Sequence, residues 1–385
     1  MATLSPPLSD LMPKLVALFA ELVPVPNFPG SEHALLDQVR AWLDTRGISY
    51  TGDYAWGLSF SVTPPTVARA DKPGVLLLAH MDSDNLDLDA GGAVSALAYD
   101  PLRSAFTWEA GRRVGLDCKT GVVMALAIAD QVRQGTLGIK MPVHFLLTVG
   151  EEVGQRGLLS IPEPQLRAIA GSACIAVALD RQTKHGALCD VSGRPIGEPR
   201  RHVVHEYCGV KTVPAMIAKR VATRLARAAS SAGLPPLPAA VSRNCSDILE
   251  LKVRTDCELR LPQALSSGAG LTPALREQLT ELKAVYEART AEVRAAFAAA
   301  TDRSARVLSF QKPPRSERYA AAREVAAILE KLPSLSDEMA LLNLSYDYDE
   351  PSAGEPGQCR IAELAETSRL VLGLLQAHSQ LKWAD

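Results

Sequence analysis

The chain has 385 residues, of which 47% are hydrophobic and 22% are charged. These fractions are typical of globular proteins and exclude a disordered, collagen-like or coiled-coil chain. Lysine and arginine total 41 against 43 acidic residues, a net charge of −2 without a long single-sign run, so neither nucleic acid nor an anionic membrane is an expected partner.

The N-terminal segment lacks the basic start and apolar stretch of a secretory signal, and no apolar run has the length that spans a bilayer. We therefore expect a cytoplasmic protein. The seven cysteines are odd in number and form no CxxC pair, which argues against a disulfide framework and against a structural zinc knuckle.

The first predicted elements are a helix and three buried strands. Apolar residues recur at helical spacing over 31–46, with Ser31 as the predicted cap and Gly47 as the stop. A second helix, opened by glycine, is predicted at 121–134. Three short apolar segments have the pattern of strands covered on both faces: 74–79, 143–149 and 174–179. The order strand, helix, strand indicates an α/β core whose strand ends carry the chemistry.

Helical patterns dominate the second half of the chain. An amphipathic helix is predicted at 213–232. Two segments rich in Ala, Glu, Arg and Leu follow, at 271–302 and 315–332, with a break at Pro313 and Pro314. We predict that these two segments form an antiparallel helical hairpin.

The last elements complete the predicted domain organisation. A strand is expected at 343–348 and a final helix at 361–377. We predict an α/β domain with a mixed sheet over residues 1–256 and 337–385, flanked by helices. The hairpin over 257–336 is then an insertion, and it is a candidate cap over the active site or a homodimer contact.

A histidine and an aspartate end the first buried strand. His80 and Asp82 lie two residues apart. A metal-bound histidine usually donates from its second nitrogen to a carboxylate, and Asp82 is placed for that role. Taken alone, the His80-Met81-Asp82 triplet also fits a simpler alternative to metal binding, a histidine that is only hydrogen-bonded at the end of a strand.

Carboxylates recur at other places where a predicted strand ends or a helix begins. Asp117 lies at the start of a helix, where it can bridge cations or cap the helix. Glu151 and Glu152 follow the second strand; if one binds a metal, the other can take a proton from water. Asp180 ends the third strand. This set of nitrogen and oxygen ligands suits Zn²⁺, with Co²⁺ or Mn²⁺ as alternatives.

A family resemblance rests on four strings that occur in this order: HMD, GLDCKTG, TVGEEVGQRG and ALDR. They resemble the co-catalytic di-zinc exopeptidases, the clan of peptidase T-like tripeptidases, carboxypeptidase and deacylase relatives, and glutamyl aminopeptidase-like enzymes. The resemblance covers residues 10–256 and 339–380. It implies a zinc-dependent hydrolase that cleaves an amide bond in a small peptide or in an N-acyl or aminoacyl substrate.

The resemblance also implies a role for each motif residue. His80 and Asp180 bind the first zinc, Asp117 bridges both ions, and Glu152 binds the second. Glu151 is then the general base.

Further positions receive weaker roles, the first two of them from the same resemblance. Asp82 orients the metal-binding histidine. Asp247 lies where the family places a substrate-contacting loop. Arg181 and Lys119 are candidates for binding a substrate carboxylate or for neutralising the acidic cluster.

Two positions depart from the family pattern. Cys118 replaces an aspartate, and it is either tolerated or adds a soft ligand. Pro351 stands where the tripeptidase-like branch has a histidine ligand of the second zinc. Glu350 is the favoured replacement for that ligand, and the other candidates are nearby acidic side chains and two histidines: Asp349, Asp347, His202 and His205.

The missing ligand keeps two other functions open. One is a hydrolase-like binding or scaffold protein with impaired catalysis, although the retained Glu151 and Glu152 argue against it. The other is a mononuclear metalloenzyme with altered acyl chemistry.

Overall fold

The computed structural model describes residues 10–65, 74–83, 97–109, 114–171, 173–179, 202–206, 246–299, 313–329, 331–332, 340–346 and 357–380. The helix predicted at 213–232 lies outside the described residues. No helix within the described ranges combines the length and the apolar character needed to cross a membrane.

The described strands belong to two sheets. In chain order they are β1 (Tyr50–Asp53), β2 (Gly57–Val62), β3 (Gly74–His80), β4 (Ala98–Asp100), β5 (Ala105–Trp108), β6 (Val143–Thr148), β7 (Ala173–Leu179), β8 (His202–Glu206), β9 (Ala340–Tyr346) and β10 (Gly357–Arg360). The main sheet has the order β1-β2-β6-β3-β7-β9-β8, and the smaller one the order β10-β5-β4.

The centre of the main sheet is parallel. Strand β3 pairs in parallel with β6 and β7, and β7 pairs in parallel with β9. The outer pairs, β1 with β2, β2 with β6 and β8 with β9, are antiparallel. The carboxyl ends of the four parallel strands therefore lie at one edge, where ligands of α/β proteins usually bind.

The described helices are, in chain order, α1 (Leu11–Leu22), α2 (His33–Asp44), α3 (Leu116–Gln134), α4 (Arg156–Ser160), α5 (Glu163–Gly171), α6 (Ser246–Arg254), α7 (Leu261–Ser267), α8 (Pro273–Ala299), α9 (Pro313–Leu329) and α10 (Ile361–Gln380). A π-helical segment, Thr255–Arg260, joins α6 to α7.

Helices cover both faces of the parallel strands. Alternate side chains such as Leu77 and Phe145 lie in one apolar cluster with residues of α1, α3 and α10. Their neighbours Leu76 and Leu146 lie in a second cluster with residues of α4, α5 and α6. Because both faces are buried, these strands are almost wholly apolar. The predicted α/β class, with a mixed sheet between helices, is confirmed.

Most predicted elements agree with the described ones, but α3 begins at Leu116 and not at 121, and β9 begins at Ala340 and not at 343. The three buried strands differ from the prediction by at most one residue at each end. Helix α2 buries the apolar residues that its periodicity indicated. Its N-cap position is Glu32, however, and the Ser31 hydroxyl donates to the carbonyl of Phe28 instead.

Helices α8 and α9 contact each other and lie between β8 and β9 in the chain. The two prolines predicted to form the break instead begin α9, where the first turn tolerates proline because its N–H has no intrahelical partner. The helices share an apolar cluster of their own with the end of α6 and with α7.

Candidate metal centre

The carboxyl end of β3 is held in place from two sides. His80 lies opposite Thr148 in the parallel register, and the N–H of Met81 donates to the Thr148 carbonyl at 2.8 Å. Asn27 donates from its side-chain amide to the Met81 carbonyl at 2.5 Å, and its backbone carbonyl accepts the N–H of Ser83 at 3.0 Å. These bonds fix the direction in which His80 and its neighbours leave the sheet.

The His80 ring is buried and oriented through both of its nitrogens. Its Nδ1 lies 2.9 Å from the backbone carbonyl of Asp82 and 3.5 Å from the Asp82 carboxylate. Since a carbonyl can only accept, Nδ1 carries the proton, and in the neutral imidazole Nε2 then keeps its lone pair. Nε2 faces Asp117 Oδ1 at 3.4 Å. The free lone pair and the carboxylate therefore point to one location, as a shared cation requires.

Asp82 connects the ends of β3 and β6. Its carboxylate accepts the N–H of Glu151 at 2.8 Å and the N–H of Glu152 at 2.9 Å. The side chain is fully buried. Asp82 thus holds the backbone of both glutamates in addition to contacting His80.

The turn after β6 is closed by backbone bonds and glycines. The N–H of Arg156 donates to the Gly150 carbonyl, and that of Gly157 donates to the Val149 carbonyl, each at 2.8 Å. A Cβ at Gly157 would lie only 2.2 Å from the Val149 oxygen. Gly150 has a φ of +65°, a conformation that favours glycine. The EEVGQRG string therefore folds into a compact turn that presents Glu151 and Glu152.

Glu32 supports this turn, and its role was not predicted from the sequence. It is 4% exposed, and its Oε1 accepts the N–H of Gly150 at 3.0 Å. Burial, together with the nearby charge of Asp82, raises the pKa of Glu32 to about 7. A glutamate before a helix is common in sequences, so no local pattern separates this one from an ordinary surface residue.

Asp117 and Cys118 lie at the start of α3, where the backbone is not yet helical. The peptide bond between them is cis. The Cys118 thiol donates to the Leu179 carbonyl at 2.7 Å, and Gly121 leaves room for that contact, since a Cβ there would lie 2.5 Å from the sulfur. A thiol that donates a proton is not a thiolate ligand.

The ligand atoms form two overlapping groups. Those of His80, Asp117 and Cys118 lie within 4.8 Å of one another, and so do those of His80, Glu151 and Glu152. Glu151 and Glu152 are half-buried. Carboxylates crowded around a neutral imidazole repel one another unless a cation neutralises them, so this donor set fits one or two divalent ions.

Lys119 is excluded from substrate binding by its position. The side chain is fully buried, and Nζ donates to the carbonyls of Val23 at 2.7 Å, Val25 at 2.6 Å and Val114 at 3.3 Å. Burial lowers the pKa of the Lys119 amine to about 7. Lys119 thereby ties the segment after α1 to the segment before α3.

The other predicted positions lie deeper or outside the described residues. Asp247 is buried at the start of α6, and its carboxylate accepts a hydrogen bond from the Thr148 hydroxyl. His202 and His205 lie on β8, opposite Tyr346 and Asn343 of β9. The remaining candidates fall outside the described residues: Asp180, Arg181, Asp347, Asp349, Glu350 and Pro351.

Solved structures of peptidases have a similar fold. The aminopeptidase PepT of Bacillus cereus matches with a TM-score of 0.52 and 14% identity, over 96% of this chain and 99% of that one. A tripeptidase of Staphylococcus aureus matches with a TM-score of 0.46 and 12% identity, over 96% and 99%. Comparisons with protein-family models and with curated proteins find no match. The chain therefore has the aminopeptidase-like fold that its motifs predicted.

Proposed function

We propose that the chain is a metal-dependent hydrolase of amide bonds in small peptides or in N-acyl or aminoacyl compounds. One observation supports this most strongly: His80, Asp117, Glu151 and Glu152 gather at the carboxyl edge of the sheet, in the fold of an aminopeptidase. Ligands of α/β proteins bind at this edge.

We assign the metal ligands by combining the donor set with the motif resemblance. His80, Asp117, Glu152 and Asp180 are the proposed ligands, and Glu350 is a weaker candidate. Zn²⁺ is the proposed ion, with Co²⁺ or Mn²⁺ as alternatives. When bound, the ion supplies Lewis acidity, which lowers the pKa of water and polarises the scissile carbonyl.

Glu151 is the proposed general base. It accepts a proton from the attacking water and returns that proton to the amine nitrogen as the carbon–nitrogen bond breaks. Asp82 assists by holding the N–H groups of Glu151 and Glu152, which fixes the backbone that carries the proposed base and the proposed ligand. His80 remains a neutral ligand because its Nδ1 proton is held by the Asp82 carbonyl.

We also propose a domain organisation for this hydrolase. Residues 1–256 and 337–385 form the metallohydrolase domain, and residues 257–336 form an inserted element that caps the site or joins two copies in a homodimer. The apolar cluster that α7, α8 and α9 share supports this division, although Val253 at the end of α6 also belongs to it.

The function is tested with purified protein and a substrate panel of dipeptides, tripeptides, aminoacyl anilides and N-acyl amino acids. We expect hydrolysis of at least one class by zinc-loaded protein, loss of it after chelation, and recovery when zinc is restored. Hydrolysis that survives complete metal removal would contradict the proposal, and so would inactivity toward the whole panel at full metal content.

A further inference from the structure

We propose that Tyr319, from the predicted insertion, is a positioning residue that acts on Glu151 through Gln155. This inference rests on the proposed function, because it concerns the general base of that reaction. It assigns the helical segment a part in turnover as well as in capping or dimerisation.

Gln155 is the link on the side of the metal centre. Its Nε2 lies 3.5 Å from Glu151 Oε1, and its own N–H donates to the Glu151 carbonyl at 3.0 Å. The side chain is 4% exposed. The φ of Gln155 is +56°, a left-handed conformation that residues other than glycine rarely adopt and that clusters at functional sites.

Tyr319 of α9 reaches the same amide from the other side. Its hydroxyl lies 3.5 Å from Gln155 Oε1 and 2.9 Å from Glu250 Oε2. The hydroxyl has one proton, which is directed mainly at the Glu250 carboxylate, so the contact with Gln155 Oε1 is the longer branch of a bifurcated hydrogen bond. The amide nitrogen of Gln155 then faces the acceptor Glu151. A continuous path of polar contacts leads from Tyr319 through Gln155 to Glu151.

A buried ion pair fixes the far end of this path. Arg318 donates to both oxygens of Glu250, at 2.8 Å and 2.5 Å, and each of these two side chains is 1% exposed. Arg318 also donates to the Thr290 hydroxyl at 2.7 Å and to the Tyr286 hydroxyl at 2.8 Å. Arg318 thus holds both oxygens of the Glu250 carboxylate, which in turn accepts the hydrogen bond from the Tyr319 hydroxyl.

Half-buried Glu151 needs such support. A glutamate side chain has several accessible rotamers, and a general base works only while its oxygen lies within hydrogen-bond reach of the water. The contact from Gln155 restricts those rotamers. Loss of Tyr319 should therefore lower kcat while KM, which reports substrate binding, stays unchanged.

The matched control is Tyr286. Its hydroxyl belongs to the same buried network and donates to Glu258 Oε1 at 2.9 Å, but no contact with Gln155 is found in the described structure. Each of the two variants, Tyr286→Phe and Tyr319→Phe, removes one hydroxyl that donates to a carboxylate near Arg318. Only Tyr319→Phe also removes a contact with Gln155, and through it the connection to Glu151.

The experiment compares kcat, KM and metal content of the full-length wild type, Tyr319→Phe, Tyr286→Phe, Gln155→Ala and the Tyr319→Phe/Gln155→Ala double variant. We expect Tyr319→Phe and Gln155→Ala each to lower kcat about tenfold, with KM and metal content unchanged. The double variant should be no slower than Gln155→Ala, because both residues act along one path. Tyr286→Phe should keep the wild-type kcat.

Wild-type kcat in Tyr319→Phe, equal losses in Tyr286→Phe, or additive losses in the double variant would overturn the inference. Glu151→Gln separates this failure from failure of the proposed function, since it must be inactive if Glu151 is the base. Amide hydrogen exchange of the 150–158 segment gives a readout without turnover. We expect faster exchange in Tyr319→Phe and wild-type exchange in Tyr286→Phe, and exchange in Tyr319→Phe equal to that of the wild type would also overturn the inference.

Discussion

Among single residues, Asp82 connects more of the candidate metal centre than its place in the sequence indicates. The sequence predicts a contact with His80, and the structure adds hydrogen bonds from the N–H groups of both Glu151 and Glu152. Those bonds depend on the parallel pairing of β3 with β6. Residues 69 and 70 positions apart in the chain thereby come into contact.

Asp82→Asn tests this role. An amide can present an oxygen to one of the two N–H groups but presents a donor to the other, so the glutamate turn loses one bond. We expect zinc affinity to fall about 10- to 100-fold, as for other residues that orient metal ligands. Competition with a zinc-binding dye measures the zinc affinity. The control is Asp37→Asn, because Asp37 is exposed. Unchanged affinity would show that Asp82 does not support the centre.

Cys118 provides a test of the ligand set. Serine can donate to the Leu179 carbonyl as the thiol does, but it is a poor ligand for zinc. We therefore expect Cys118→Ser to retain the metal content of the wild type and to keep turnover within about threefold. Elemental mass spectrometry gives the metal content. Loss of one ion per chain would mean that Cys118 is a ligand after all.

Glu32 predicts a pH dependence of stability. Its pKa is about 7 in the folded protein against 4.5 ordinarily, so between these values the folded state holds a proton that the unfolded chain has released. Stability due to this group therefore falls as the pH rises from 4.5 to 7, by about 3 kcal/mol in total. Glu32→Gln should remove that slope.

Urea unfolding of metal-free protein at several pH values measures this effect, because bound metal would change the local charge. Gln can still accept the N–H of Gly150, so the turn keeps its support. If the free energy of unfolding depends on pH in the same way in the wild type and in Glu32→Gln, the raised pKa of Glu32 is refuted.

At the scale of secondary structure elements, the Arg318–Glu250 pair joins α9 to α6. Removal of one partner of a buried ion pair leaves an uncompensated charge, so we expect Arg318→Met to lower the free energy of unfolding by about 3–5 kcal/mol. Lys283 and Glu287, an exposed pair on α8, provide the control. Lys283→Met should change stability by at most about 0.5 kcal/mol. Equal effects in chemical denaturation would contradict the structural role of the buried pair.

The elements that the sequence predicts are those with a strong local pattern. Strands β3, β6 and β7 are covered on both faces, and α2 and α10 have a clear apolar stripe. Strand β1 is largely exposed and only four residues long, so its composition does not distinguish it from a loop. Helix α1 and the small sheet were also not predicted.

The same distinction applies to the site. His80, Asp117, Glu151 and Glu152 follow recognisable strand or helix ends, so their convergence could be predicted. Gln155 belongs to the TVGEEVGQRG string but received no role from it, and Tyr319 belongs to no motif. These two residues are 164 positions apart, and their contact depends on how α9 packs. Asp180 and Glu350 lie outside the described residues and remain predictions.

At the scale of the whole molecule, the metal centre is expected to stabilise the fold. Without an ion, the carboxylates around His80 repel one another. We expect chelation to lower the thermal unfolding midpoint and added zinc to restore it, because a ligand that binds only the folded state stabilises it. Calorimetry combined with metal analysis checks this. Two ions per chain would support replacement of the missing ligand, whereas one would favour a mononuclear enzyme, and an unchanged midpoint would contradict the proposed site.

The central claim is that Glu151 is the base of a metal-dependent hydrolysis, and Glu151→Gln tests it most directly. Glutamine keeps the size of the side chain and the N–H bond to Asp82 but cannot accept the proton. At equal metal content, we expect kcat to fall about 10²- to 10⁴-fold on the best substrate of the panel. Wild-type turnover in the metal-loaded variant would contradict the mechanism.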